Sequence, residues 1–389
     1  MRLLEIDRHG PGEGTSYGNA GIIEGNTVFP PAFPSDFAEL VRIALKRSPL
    51  VNYHVTQLLR LAPWLSAFRA ASQPARLVET ARLMRPLFAR AVAEHEVLAA
   101  DAGAGRYLSR RGWLKLYRTE RAFAALKPEL ELAASFGIAN VPLDRAAALA
   151  LEPALNGVFR HAVHWTGAMS VSNPLALTRA YAARFTARGG LAFTGDARSL
   201  HRAGPYWRIE TESGPVDAGD VVVALGPWTP DVTAPLGIRL PLAVKRGYHR
   251  HYRVRGNAAL SRPVLDAELG YVLAPMEQGI RITTGVEFAA RDAAPTPVQL
   301  GRLLPAARAL FPLGEALEAQ PWLGARPCFP DSRPVIARAP RQRGLWLAFG
   351  HAHWGLTLGP ATGRLIAEMM TGATPFCDPK PYGTERFMQ

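Results

Sequence analysis

The segment Phe-Gly-His-Ala-His-Trp-Gly-Leu-Thr-Leu-Gly-Pro-Ala-Thr-Gly, residues 349–363, gathers more chemically useful groups than any other stretch of the chain. An apolar run feeds glycines, and a helical pattern begins near Leu356 and Thr357. The first turn of a helix presents unpaired N–H groups and about half a positive charge. A ligand edge that gains negative charge is stabilised there. His351 and His353 stand two residues apart. A metal site needs three or four ligands, so no metal is expected. His351 is instead a hydrogen-bonding candidate toward a bound ligand, and His353 a candidate for the same pocket.

The other end of the chain raises a different possibility. A short apolar run closes on an acid, Glu5, and a glycine-rich loop follows. The second strand of a dinucleotide-binding fold ends in this way, its acid accepting hydrogen bonds from ribose hydroxyls. The phosphate-binding Gly-x-Gly-x-x-Gly turn belongs about 20 residues earlier, and position 1 leaves no room for it. Gly10–Thr15 is a decoy, because it follows the wrong strand and opens a loop. The first strand, the phosphate turn and the first helix, about 30 residues, are therefore expected to be absent from this sequence.

The surrounding pattern supplies elements to position these groups. Residues 2–6 read as a strand and 8–33 as loop. Apolar residues recur at helical spacing from Phe37 to about Ala100, after the cap candidates Ser35 and Asp36. Residues 103–118 read as a turn and strand, and 119–137 as a helix. A βαβ-like unit spans 173–226. Its run Val221–Leu225 is apolar throughout, as a parallel strand covered on both faces would be. Residues 236–290 alternate apolar and polar, predicting an antiparallel sheet. A helix fits 297–311, and the chain ends strand–turn–helix. The fold class is α/β with mixed α+β character. Residues 1–90, 150–235 and 325–389 are expected to form a discontinuous nucleotide domain. Residues 91–149 and 236–324 are expected to form a substrate domain.

Composition excludes several classes. Of 45 Lys and Arg residues only five are lysine, and the arginines are scattered, so the net charge of +13 marks no nucleic-acid motif. Two cysteines, Cys328 and Cys377, match neither a metal spacing nor a disulfide scaffold. No apolar run approaches the roughly 18 residues of a membrane span, and Glu5 and Asp7 interrupt any leader. A cytoplasmic protein is expected, with peripheral association at the inner membrane as an option and the oligomeric state open.

Four stretches stand in a telling order: Glu13–Gly21, Ala224–Trp228, Leu323–Ile336 and Gly350–Glu368. Together they resemble the FAD-dependent amino-acid oxidoreductases of the D-amino acid oxidase superfamily, particularly the bacterial D-amino acid dehydrogenases. The resemblance runs the length of the chain and is most specific in the last two stretches. It implies an FAD-binding fold, here without its first βα unit, and non-covalent FAD. Thr15, Ser16, Asn19, Ala20 and Gly21 would run along the flavin and pyrophosphate. Ala224, Leu225 and Gly226 would press backbone against the cofactor, with Trp228 packing nearby. Gly350, His351, Gly355, Leu356 and Thr357 would meet the flavin, whose reduced edge the helix dipole stabilises.

Arg326 matches the family's carboxylate-binding arginine, whose planar fork suits a carboxylate. Tyr248 and Tyr271, on the predicted antiparallel sheet, read either as hydroxyl partners of that carboxylate or as half-buried sheet tyrosines. His249 and His251 alternate with Tyr248 and so point the other way, onto what reads as a solvated face. The implied reaction is oxidative deamination of a D-amino acid: hydride passes from Cα to flavin N5, and the imine hydrolyses to a 2-oxo acid and ammonia. The electrons go on to a quinone or other respiratory acceptor. Alternatives are an O₂-using oxidase of glycine, sarcosine or a cyclic imino acid, or a scaffold subunit that binds no flavin.

Overall fold

The computed structural model describes residues 3–388. Local signals set most element ends. The helix Phe37–Ala44 starts at Asp36, whose carboxylate accepts from the Ala38 N–H at 2.8 Å. The segment 119–137 forms two short helices, Glu120–Ala124 and Lys127–Ser135, because the first ends after one turn and Pro128 opens the second. The helices Val55–Ala71 and Pro74–Asp101 carry the apolar pattern of 37–100; the second packs against the C-terminal helix Gly355–Thr371, and the first joins the same core beside Phe288 and Cys328.

An eleven-stranded sheet dominates the molecule. Its axis is the long strand Ala243–Val254, paired antiparallel with Gly279–Thr283 on one side and Trp322–Cys328 on the other. Tyr271–Met276 pairs with Gly279–Thr283. The sheet also draws Val51–Tyr53 and His161–Trp165 from stretches assigned by sequence to the nucleotide domain.

Side chains alternate between faces along each strand, so the register assigns them. Lys245 opposes Arg326, Gly247 opposes Gly324, and His249 opposes Trp322. His249 also opposes Thr283, which opposes Val272. These residues share the near face. Arg246, Tyr248 and Tyr252 therefore take the far face, and so does Tyr271, next to Val272. The helix Val298–Leu310 covers the far face and packs its Leu300, Leu303 and Leu310 against these tyrosines.

The parallel strands fall into two pieces. Leu4–Asp7 pairs with Leu191–Thr194, and Val221–Val223 with Leu345–Phe349. No strand among the described residues joins them. Val222 is consequently 37% exposed. Its strand is not covered on both faces, contrary to the reading of an apolar run.

Candidate active site

A cavity of about 730 Å³ lies between the two parallel pieces and the near face of the large sheet. The opening loop forms one wall. Its short helical turn Thr15–Gly18 is fastened from outside. The Thr15 hydroxyl donates to the Ala325 carbonyl at 2.9 Å. Arg281 donates to the carbonyls of Tyr17 at 2.8 Å and Asn19 at 2.6 Å. The Trp322 ring lies so close to Gly18 that a Cβ there would come within 1.7 Å of it. The Asn19 side chain accepts from the Gly21 N–H at 2.8 Å and closes the turn.

The glycine-rich turn 350–355 forms the second wall. Gly350 has φ +88°, and a Cβ there would meet the Phe329 ring at 2.2 Å. The helix begins at Gly355, just ahead of the sequence expectation, and no side chain caps it. Gly355 and Leu356 therefore present N-terminal amides at the cavity. Burial holds His351 down to about 4, and its Nε2 shares a hydrogen bond of 2.9 Å with the Thr362 hydroxyl. His353 is exposed to the cavity; desolvation by the surrounding protein, then Arg326 and Lys245, holds it down to about 3. Both imidazoles are neutral at pH 7.

Cations line the sheet side. Arg326 is enclosed and donates to the carbonyls of Gly285 at 2.9 Å and Thr284 at 3.3 Å. Its guanidinium crosses Gly247, where a Cβ would come within 2.4 Å. Lys245 lines the same wall. Neither has a carboxylate partner among the described residues. Glu24 also borders the cavity; burial pushes its carboxyl up, and it accepts from the Trp354 indole N–H at 3.3 Å.

Most residues chosen from sequence do meet here: Thr15, Ser16, Asn19, Ala20, Ala224, Leu225, Gly226, Gly350, His351, Gly355, Leu356, Arg326 and Trp228 all border the cavity. Others do not. Glu5 lies back along its strand, while Asp7, at the carboxyl end on the same strand face, reaches the cavity. Ligands of open α/β sheets bind beyond such ends, so Asp7 joins Glu5 as an acidic candidate.

Gly21 sits behind the wall against the Val171 carbonyl. Thr357 is buried, and its hydroxyl donates to the Ile22 carbonyl at 3.0 Å, so it ties the helix to the loop. Tyr248 touches the cavity, but its hydroxyl donates to Glu287 at 2.8 Å and accepts from the Thr296 N–H at 2.7 Å on the far face. Tyr271 faces the same way, beside the Arg118–Asp266 ion pair. Neither hydroxyl is placed for a ligand carboxylate. His249 and His251 do oppose Tyr248, yet they are buried, not solvated. His249 stacks on Trp322 with ring centroids 4.8 Å apart, and His251 bonds Glu318 and Arg281.

Among the described residues no three His, Cys, Asp or Glu side chains form a metal cluster, and no helix is long and apolar enough to cross a membrane. Gly14, Gly226 and Gly355 border the cavity with no atom close enough to crowd an added Cβ; the nearest is Pro327 Cγ, 3.8 Å from the Gly226 position. Bare backbone beside uncapped helix amides fits a flat ring whose edge becomes electron-rich.

The fold and cavity are those of a flavin-dependent oxidoreductase. Residues 3–369 match the DAO family of FAD dependent oxidoreductases, and the chain belongs to that family, with FAD as its cofactor. It is 28% identical to the D-amino-acid oxidase of Bradyrhizobium diazoefficiens, over 100% of this chain and 93% of that one. It is 29% identical to the D-amino acid dehydrogenase of Paramagnetospirillum magneticum, over 98% and 92%. Its structure resembles that of glycine oxidase from Geobacillus kaustophilus, with a TM-score of 0.73 at 22% identity over 98% and 91% of the two chains.

Proposed function

We propose that the chain oxidises a D-amino acid to its imine, which water converts to a 2-oxo acid and ammonia, and that the electrons pass to a quinone or other respiratory carrier. The carrying observation is Arg326: an enclosed guanidinium, fixed by two backbone carbonyls, facing the cavity without an acid of its own. Full-length similarity to proteins named D-amino-acid oxidase and D-amino acid dehydrogenase supports the substrate class.

FAD, when bound, supplies the acceptor for two electrons and the Cα hydrogen. Thr15, Ser16, Asn19, Ala20 and Ala224–Gly226 would hold it, with Asp7 toward the ribose. The chain's own work is positioning and charge. Arg326 takes the carboxylate in its planar fork and fixes the direction of Cα–H. Nearby cations disfavour a protonated amine, which leaves the neutral form needed for oxidation. His351 and His353 add hydrogen-bonding capacity without adding charge. The amides at Gly355 and Leu356 meet negative charge as it develops.

Anaerobic mixing with a panel of D-amino acids should bleach the flavin absorbance. Arg326→Ala should lower kcat/KM by about 10²–10³, the loss of roughly 2–5 kcal/mol expected when one partner of a buried charge pair is removed. Unchanged kcat/KM in that variant would overturn the reading. Peroxide release in air, without dye reduction, would favour the oxidase alternative.

A further inference from the structure

One carboxylate needs one cation, yet the cavity wall carries two. Lys245 sits directly across the strand pair from Arg326, a position where Cα atoms lie about 4.5–5.5 Å apart. Lys245 is only 8% exposed. Its ammonium lies 4.0 Å from the Phe68 ring centroid, 4.9 Å from Trp64 and 6.0 Å from Phe288. Aromatic faces attract a cation, but they do not neutralise it. No acceptor among the described residues lies within hydrogen-bond or ion-pair distance of Nζ.

The acids near the cavity do not fill this need. Asp196 is paired with Arg198, and Asp231 with Arg291, while Asp7 accepts from the His9 N–H at 3.0 Å and has no contact with Lys245 or Arg326. Glu24 is tied to Thr27 and Trp354. Two like charges opposed across a strand pair destabilise a sheet, and a buried charge without a partner costs more. The arrangement makes sense if the ligand brings two negative groups. Burial, the leading influence, loosens the hold of Lys245 on its proton, and an incoming anion would restore it.

We propose that Lys245 and Arg326 form a two-cation clamp that selects amino or imino acids bearing two carboxylates. Arg326 takes the carboxylate next to the reacting carbon, and Lys245 takes the second. The clamp deepens the D-amino-acid reading and rests on it for the reaction, not for binding.

The test compares near-isosteric pairs: D-aspartate with D-asparagine, D-glutamate with D-glutamine, and iminodiacetate with its monoamide. At least one dicarboxylate should exceed its partner in kcat/KM by ten-fold or more. The pair that does so identifies the spacing between the two acids. In Lys245→Met that ratio should fall at least ten-fold, and Lys245→Arg should restore most of it.

A binding readout needs no turnover. Malonate should protect the FAD-loaded protein against thermal unfolding at ten-fold lower concentration than acetate, and Lys245→Met should abolish the difference. Malonate selectivity without flavin reduction by any amino acid sinks the proposed reaction and leaves the clamp standing. Amino-acid oxidation with no dicarboxylate preference, or a malonate preference that survives Lys245→Met, overturns the clamp. Should Lys245→Met fail to fold, the wild-type ratios decide alone, and ratios at or below one reject it.

Discussion

On the far face of the large sheet Arg246 meets Glu287 through two N–H groups at 2.8 and 2.6 Å and also donates to the Ala294 carbonyl at 3.0 Å. Glu287 in turn accepts from the Asn52 amide at 3.1 Å and the Tyr248 hydroxyl at 2.8 Å. On the near face Arg326 has only two carbonyls, and Lys245 only aromatic rings. Both sets sit on the strand Ala243–Val254 and its neighbours; Lys245 is nearly as buried as Arg246, while Arg326 is half-buried. What differs is whether the charge is answered from within the protein. A satisfied buried network holds a structure together; unanswered buried cations mark where a ligand completes it.

Breaking the far-face network should have the largest effect. Glu287→Ala leaves Arg246 charged, buried and without its carboxylate, which should cost about 3–5 kcal/mol in denaturant unfolding. Arg326→Ala, which removes an unanswered charge, should leave stability unchanged or raise it. If Glu287→Ala loses under about 1 kcal/mol, the contrast between the faces collapses.

How far the site was legible follows from the same geometry. The glycine turn at 350–355 and the loop at 15–20 were readable because glycine and asparagine act locally. The opening strand offers two acids, Glu5 and Asp7, and alternation alone does not choose between them. Glu5 and Asp7 share a face, and only the true strand end at Asp7 selects between them.

The tyrosines failed for a less local reason. Alternation separates Tyr248 from His249, but it does not say which face the helix Val298–Leu310 will cover. Lys245 carries no local signal at all. A lysine in an alternating strand reads as solvated, and its enclosure comes from Trp64 and Phe68, on a helix far earlier in the chain. Arg281 and Trp322 escaped notice for the same reason, since their importance lies in reaching the loop Tyr17–Asn19. The apolar run at Val221–Leu225 read as a strand covered on both faces, and Val222 is open because the two parallel pieces form separate sheets among the described residues.

A second contrast concerns histidine and should have an intermediate effect. His95 is fully enclosed, with its ring nitrogens 2.8 Å from the Leu356 carbonyl and 3.1 Å from the Tyr181 hydroxyl. Burial lowers it to about 4. Its folded value lies below its unfolded one, near 6.5, so the unfolded chain binds the proton more readily. The stability His95 contributes is complete above pH 6.5 and is lost as pH falls through 4, about 3 kcal/mol in all. At pH 5 the wild type should take up about one more proton on unfolding than His95→Gln, measurable as a shallower pH dependence of stability in the variant. An unchanged slope would place His95 in contact with water.

The smallest effects test the face assignment most sharply, because they separate two tyrosines that sequence treated alike. The Tyr248 hydroxyl bridges Glu287 and the Thr296 N–H, at 2.8 and 2.7 Å. Tyr248→Phe strips a donor from a buried carboxylate and an acceptor from a buried amide, which costs about 1–3 kcal/mol. The Tyr271 hydroxyl is 3.4 Å from the Ala306 carbonyl, at the limit of a hydrogen bond. Tyr271→Phe should cost under about 1 kcal/mol.

Both variants should keep KM for the amino acid within about two-fold, since neither hydroxyl faces the ligand and a lost charged hydrogen bond would raise KM by ten-fold or more. Stability therefore separates the two tyrosines, and KM does not. A ten-fold rise in KM with unchanged stability in either variant would mean that its hydroxyl turns toward the substrate. That outcome would return the tyrosine to the role its sequence suggested and would remove the distinction between the faces.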